Sequence, residues 1–419
     1  MGFNEEPWQI SDLNQDYHIC DTYPKFLVFP STADKYLIEK CALFRTRNRL
    51  PVIVWKHPSK SAVIARCSQP MPGLLSKRDM LDESYIQMIG ETNPDKPLYI
   101  LDVRPKINAN ANTIAGGGFE KAKYYKNTVR EFHAIENIHK VRESWKALYK
   151  LCTRYDQNED PPKFSDTDWF SYLQSILIAS TRIRDIYDKQ HSSIVVHCSD
   201  GWDRTSQVVA LAEILLDPWY RTISGFIGLI DKEWCSFGHQ FALREGHGKS
   251  MENFKDDQRA PIFLQFIDSV YQILCQFPEA FEFNENLLLI IIDHLHSSMF
   301  GTFLSNCDYD RREVLKCPTL THSLWDLIFS NQLLFTNEAS KMNTYDVLEY
   351  EPKELKLWRL YYLRWKEMEF PPFDEHLDIQ TITLGLNFST TPNLQISLDT
   401  KKKYKKKKKH HRTKSTNQS

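Results

Sequence analysis

The stretch SIVVHCSDGWDRTSQVVALAEILL, residues 193–216, decides the fold. Its first five residues form a short β-run about the apolar Ile194-Val195-Val196. From Val208 through Leu211, Leu215 and Leu216, apolar residues recur at helical spacing. Between the two lies a loop in which Cys198 is followed six positions later by Arg204, with Gly201 between them. A strand, a tight loop and a helix in this order make an anion cradle, because loop N–H groups and the positive end of the helix point into the loop. The same field favours a thiolate. A cysteine at a helix terminus beside a cation ionises at neutral pH and becomes a nucleophile. Arg204 offers a planar fork able to hold two phosphoryl oxygens as the group moves to sulfur. Gly201 lets the backbone turn and approach a ligand. Thr205 is placed to hydrogen-bond the Cys198 sulfur and ease its departure from a thiophosphate.

Spacing alone does not identify such a loop, since Cys41 to Arg47 (CALFRTR) has the same Cys-x5-Arg pattern. That copy lacks the loop glycine and the strand–helix setting, so Cys41 reads as structural. His294 and His296 project from divergent faces of a helix and make a poor metal pair. The triplet Gly116-Gly117-Gly118 lacks the spacing of a nucleotide fingerprint and reads as a turn.

Working outward, Val52–Trp55 and Ser61–Ala65 read as short strands bounded by prolines, and Leu98–Val103 as another. Gln69 to Pro97 reads as loop around a short helix, and the NANAN segment at 108–112 with the following glycines as loop. Helical periodicity marks 138–151, 173–187, 262–277 and 287–300. Alternating strands and helices argue an α/β fold, a central mixed sheet flanked by helices, in one domain over residues 1–370. Residues 371–419 are expected to be a disordered tail with a polybasic run at 401–414.

The formal net charge of the 419 residues is −1, but it is unevenly spread. Residues 401–419 carry ten basic side chains and no acid, leaving a body of 43 basic and 54 acidic residues. Nine scattered cysteines without a C-x-x-C pair suggest neither a disulfide framework nor a zinc site. The acidic start MGFNEEPWQI has no apolar secretory core, Glu6 stands where a myristoylation signal needs Ser or Thr, and the aliphatic run 287–292 is too short to span a bilayer. A cytoplasmic chain is expected, reaching membranes from outside and with no nucleic-acid partner. The tail is either a basic tether for an anionic membrane or a solubilising, import-like run.

The eight residues CSDGWDRT, Cys198 to Thr205, resemble the active-site signature of the myotubularin phosphoinositide 3-phosphatases. Similar blocks occur at CDTYP (20–24), RCSQP (66–70), GGGFE (116–120), ENIHKVRES (136–144), EWCSFGHQFALREGHG (233–248) and PIFLQFID (261–268), so the resemblance spans about residues 8–370. It implies a cysteine-dependent, tyrosine-phosphatase-like fold and removal of the 3-phosphate from phosphatidylinositol 3-phosphate and its 3,5-bisphosphate, with no metal or other cofactor. Cys198 is then the nucleophile, Arg204 the phosphate clamp and Asp203 the general acid. Ser199, Gly201 and Trp202 shape the phosphate pocket. Asp200 either orients substrate or water or stabilises the loop.

By the same resemblance Asn112, Asn137, Ile138 and Arg244 fall at inositol-headgroup contacts, although by residue type each is equally a turn residue or surface group. Gln240 stands where relatives commonly carry Lys or Arg, which favours the monophosphate as substrate. The lipid-binding PH-GRAM domain usual in the family is expected to be mostly or wholly lacking. Association with endosomal membranes and homo- or hetero-oligomers with family members are also implied. A catalytically silent adaptor and a protein tyrosine or dual-specificity phosphatase are the alternatives.

Overall fold

The four residues Ile194–His197 are all buried, and they form the middle strand of a five-stranded sheet. The computed structural model describes residues 6–155, 163–164, 167–247, 256–341, 346–353 and 355–364. In chain order, β1 (Trp8–Ser11) and β2 (Leu27–Pro30) pair as a separate antiparallel ribbon, with α1 (Lys35–Leu43) after them. Then come β3 (Val52–Lys56), β4 (Val63–Cys67), α2 (Met80–Glu91), β5 (Leu98–Asp102), α3 (Lys106–Ile114), β6 (Thr128–Phe132), α4 (Ile138–Arg154) and α5 (Asp168–Asp188). The central strand β7 (Ile194–His197) leads into α6 (Arg204–Leu216), followed by α7 (Ile223–Ile230), α8 (Phe241–Glu245), α9 (Ile262–Gln276) and α10 (Glu285–Leu295).

The sheet order is β3-β4-β7-β5-β6, with β3 antiparallel to β4 and the other pairings parallel. The fold is therefore α/β with a mixed sheet, as the alternation of patterns predicts. Parallel strands covered on both faces are apolar throughout, which is why β7 reads as a continuous run. All thirteen residues of α6 are buried, and its main neighbour is α5. Because β4, β7 and β5 run the same way, the segments leaving their carboxyl ends gather at one end of the sheet, where ligands of open α/β sheets bind.

The structure departs from the sequence reading in three places. NANAN lies inside α3, not in a loop. Its interleaved alanines offset the roughly 0.6 kcal/mol per residue that asparagine costs a helix, and Ala109, wholly buried, lets the helix approach closely. Strand β6 (TVREF) has no apolar alternation to announce it; pairing with β5 makes it a strand. Helix α10 stops at Leu295, short of 300. All described residues fall in the unit Met1–Leu377. The expected boundary at 370 and the basic tail lie outside the described residues. No helix among the described residues is long and apolar enough to cross a membrane.

Beneath the carboxyl end of β7 lies a buried ionic network. Arg45 pairs with Asp82 at 2.7 Å and with Glu120 at 2.6 Å, and Glu120 meets His197 Nε2 at 3.1 Å. Burial alone would raise the Glu120 carboxyl, but His197 and Arg45 hold it well below the usual carboxylate range. A buried charge needs such partners. The decoy cysteine belongs here too: Cys41 donates its S–H to Asp82 at 3.2 Å, and its thiol is raised by burial.

Candidate active site

The loop 198–204 is held by its backbone. Gly201 adopts φ +77°, and its N–H donates to Cys198 Sγ at 3.3 Å. A side chain could not be accommodated there: a Cβ would come within 2.3 Å of the Cys67 carbonyl oxygen. Two buried arginines, Arg49 and Arg66, both donate to the Gly201 carbonyl, at 3.0 and 2.7 Å. Holding that oxygen from below keeps the neighbouring N–H groups turned toward the site. Gln69 N–H bonds Ser199 O at 3.0 Å, and His239 Nδ1 lies 2.9 Å from Trp202 O, fixing the remaining peptides.

These groups act on the sulfur. Cys198 is 2% exposed, and burial by itself would raise its thiol; Arg204, then the Thr205 hydroxyl and backbone, outweigh burial and pull it below the ordinary value. Among the described residues the buried Thr205 hydroxyl has no hydrogen-bond partner, which leaves it free to serve the Cys198 sulfur. In Cys20, Cys41, Cys67, Cys152, Cys235, Cys275, Cys307 and Cys317 burial wins and the thiol is raised. Arg204 donates only to Ile135 O at 3.3 Å and Ser199 Oγ at 3.4 Å, and among the described residues no carboxylate pairs with it. A buried guanidinium without a counter-ion is a place for an anion.

Above the loop opens a polar cavity of about 680 Å³. Ser199, Asp200, Trp202, Asp203 and Arg204 line it, as do Asn137, Ile138, Gln240 and Arg244. The amino terminus of α4 borders the cavity, with the Asn137 oxygen capping it by accepting from His139 and Lys140 N–H groups at 3.0 and 3.2 Å. Asn112 does not line it: its amide donates to Ser199 Oγ at 3.0 Å, placing it behind the loop as a support. The Gln240 amide donates to Gly238 O and Asn306 O at 2.9 and 3.2 Å, so its N–H donors are turned to backbone and away from a ligand.

Asp203 is gripped by Arg244, not by Arg204. Arg244 donates Nε to Oδ1 at 3.1 Å and Nη2 to Oδ2 at 2.8 Å, while His239 Nδ1 lies 3.2 Å from Oδ1. Burial opposes ionisation, yet Arg244 and His239 hold this carboxyl well below the usual range. Asp200 behaves oppositely. Burial and the Asp203 charge raise its carboxyl against the pull of Arg47, Arg49 and Arg204.

Sequence reasoning missed Arg49 and Arg66 as loop supports and Asp21, Arg47, Asn306 and Tyr309 as cavity walls. A signal for the first two existed: Arg49 and Arg66 each flank an apolar β-run, where a solvated charge would be out of place. Arg47 was visible only as the arginine of the decoy pattern; it reaches the cavity from a left-handed turn with φ +56°.

Residues 1–312 match the family described as the myotubularin-like phosphatase domain. The chain belongs to that family. Curated relatives of this myotubularin-like domain include myotubularin of Xenopus laevis, 44% identical over 87% of this chain and 61% of that one. Another is the phosphatidylinositol-3,5-bisphosphate 3-phosphatase MTMR2 of Mus musculus, 44% identical over 87% of this chain and 57% of its own. The chain thus spans less than two thirds of the length of these relatives. Kinase associated phosphatase, solved with serine in place of its catalytic-site cysteine, aligns over 52% of this chain and 90% of its own at 11% identity, with a TM-score of 0.27, too loose a likeness to bear on the fold.

Proposed function

We propose that the chain hydrolyses the 3-phosphate of phosphatidylinositol 3-phosphate, and more weakly that of the 3,5-bisphosphate, through a phosphocysteine. What carries this is the pairing, in one loop, of the single cysteine whose thiol is pulled down with an arginine that lacks a carboxylate partner. The Cys198 thiolate attacks phosphorus, and the bond to the inositol 3-oxygen breaks. That oxygen takes a proton from a loop carboxylic acid. Water then attacks phosphorus, returning the thiolate and releasing inorganic phosphate, while the carboxylate accepts the water proton. Arg204 and the loop N–H groups hold the phosphoryl oxygens throughout. Family resemblance supports Asp203 as the acid; a dianion entering beside it would raise its carboxyl by repulsion and compete for Arg244. A second reading is favoured by Asp200, which lines the cavity and whose carboxyl is already raised.

Arg244, Asn137, Ile138 and Trp202 would meet the inositol ring, and Gln240, lacking a cation, supports preference for the monophosphate. The printed name of the MTMR2 relatives supports the 3-position and the lipid class. The same proposal places the chain at cytoplasmic membrane surfaces, endosomal ones among them, alone or assembled with itself or other family members.

The test is phosphate release from both lipids and a phosphotyrosine peptide, by wild type, Cys198→Ser, Asp203→Asn and Asp200→Asn. Lipid turnover is expected to vanish in Cys198→Ser and to fall roughly 10²–10⁴-fold in whichever aspartate supplies the proton. Wild-type release no greater than that of Cys198→Ser would leave a silent adaptor, and faster release from the peptide a protein phosphatase.

A further inference from the structure

Although the body is acidic, two segments beside the active-site loop carry almost no acid of their own; Asp79 and Glu83, which follow the first, are engaged in capping α2 and in pairing with Arg78. From Ser68 to Arg78 and from Val103 to Arg130 the only acidic residue is Glu120, which is buried against Arg45 and His197. These two segments leave the carboxyl ends of β4 and β5, on either side of the strand that carries Cys198. They are stitched to each other and to the loop: Gly73 N–H bonds Gly117 O at 3.1 Å, Gly117 N–H bonds Asn112 O at 2.9 Å, Asn112 bonds Ser199, and Gln69 N–H bonds Ser199 O. Lys121 Nζ also reaches Ser76 Oγ at 2.6 Å.

On this basic rim stand large apolar side chains with nothing over them. Leu75 is 95% exposed, Ile107 81%, Ile114 75% and Leu74 69%. Ile107 and Ile114 are seven residues apart on α3 and so lie on one face of the helix. Lys77 and Lys106, their near neighbours in sequence, are exposed, as is Lys123 on the segment that follows the glycines. Apolar tips ringed by lysines fit an interface whose outer layer is anionic and whose next layer is hydrocarbon.

We propose that the 69–78 loop and helix α3 form a membrane-docking face: Leu74, Leu75, Ile107 and Ile114 insert among the headgroups of an anionic lipid surface while the neighbouring lysines neutralise it. The choice of partner rests on the lipid-phosphatase proposal, since a headgroup still anchored in a bilayer brings the bilayer to the mouth of the site. Docking supplies what the acidic body lacks, an attraction located beside Cys198.

The test uses the full chain carrying Cys198→Ser and vesicles of phosphatidylcholine with phosphatidylserine but no phosphoinositide. Leu75→Cys, labelled with an environment-sensitive fluorophore and compared with the labelled parent, is expected to shift to the blue and brighten on these vesicles. Leu74→Ser with Leu75→Ser is expected to weaken binding about tenfold per leucine at salt high enough to screen the basic tail. The same pair of substitutions in the Cys198 enzyme should leave turnover of a short-chain, micelle-free phosphatidylinositol 3-phosphate unchanged. An unshifted emission, unweakened binding, or an equal loss on the soluble substrate would overturn the docking face. Docking without turnover by the Cys198 enzyme would instead remove the phosphatase proposal and leave the docking face standing.

Discussion

At the scale of single residues, the site is a contest between burial and local charge at one sulfur. Burial alone raises a thiol, as it does at eight cysteines here; at Cys198 the nearby Arg204 reverses the outcome. Removing that cation by Arg204→Met disfavours the thiolate, so the pH at which Cys198 alkylates should move upward. Mass spectrometry of iodoacetamide adducts across pH reads this directly, and an unmoved profile would mean that the loop amides, not Arg204, govern the sulfur. Gly201→Ala tests the backbone. It would combine φ +77° with a Cβ 2.3 Å from Cys67 O, and strain of this kind costs about 1–3 kcal/mol even before the clash is counted. Denaturant unfolding should show the loss together with lost turnover; wild-type stability would show that the loop has another conformation available. Cys198, Arg204 and Gly201 were legible because residue type, spacing and a strand–helix setting coincide. The Arg244–Asp203 pairing was not, since it joins residues 41 positions apart whose meeting depends on how α8 packs.

Among the elements, the loop is shaped from the neighbouring hairpin. Arg49 precedes β3 and Arg66 lies in β4, and both reach the Gly201 carbonyl; Arg66 also pairs with Glu233 at 2.5 Å and donates to Ser206 Oγ at 2.7 Å. Arg66→Met leaves Glu233 buried with less compensation, a kind of change that costs about 3–5 kcal/mol. Unfolding should show that loss and turnover should fall, although residue 66 does not line the cavity. A fully active, equally stable Arg66→Met protein would mean that Arg49 alone holds the carbonyl. Elements with a strong period, such as α4, α5 and α9, were legible in the sequence. Helix α3 and strand β6 were not, because asparagines and an unpatterned TVREF acquire their conformation from neighbours that no local window contains.

For the whole molecule, charge is segregated along the chain and across its surface. On the docking proposal, the ten basic residues of 401–419 and the basic rim beside α3 would be two separate attractors for an anionic surface, attached to an acidic body. Ending the chain at Thr400 should weaken vesicle binding chiefly at low salt, since exposed charges beyond about 10 Å are screened at 0.1 M. Binding indifferent to both truncation and salt would exclude the tail as a tether. Charge segregation was legible from composition, whereas the apolar tips required the fold, which alone brings residues 74, 75, 107 and 114 to one end of the sheet.

Helix α6 begins at Arg204 and is buried on every one of its thirteen residues. Beyond its first turn, which faces the cavity, its amides have no route to solvent short of opening the core, and their hydrogen exchange should report global unfolding. An oxyanion seated on its first turn is then coupled to the cooperative unit itself. Occupancy of the site would be felt as a rise in melting temperature of the entire domain, not as a local tightening.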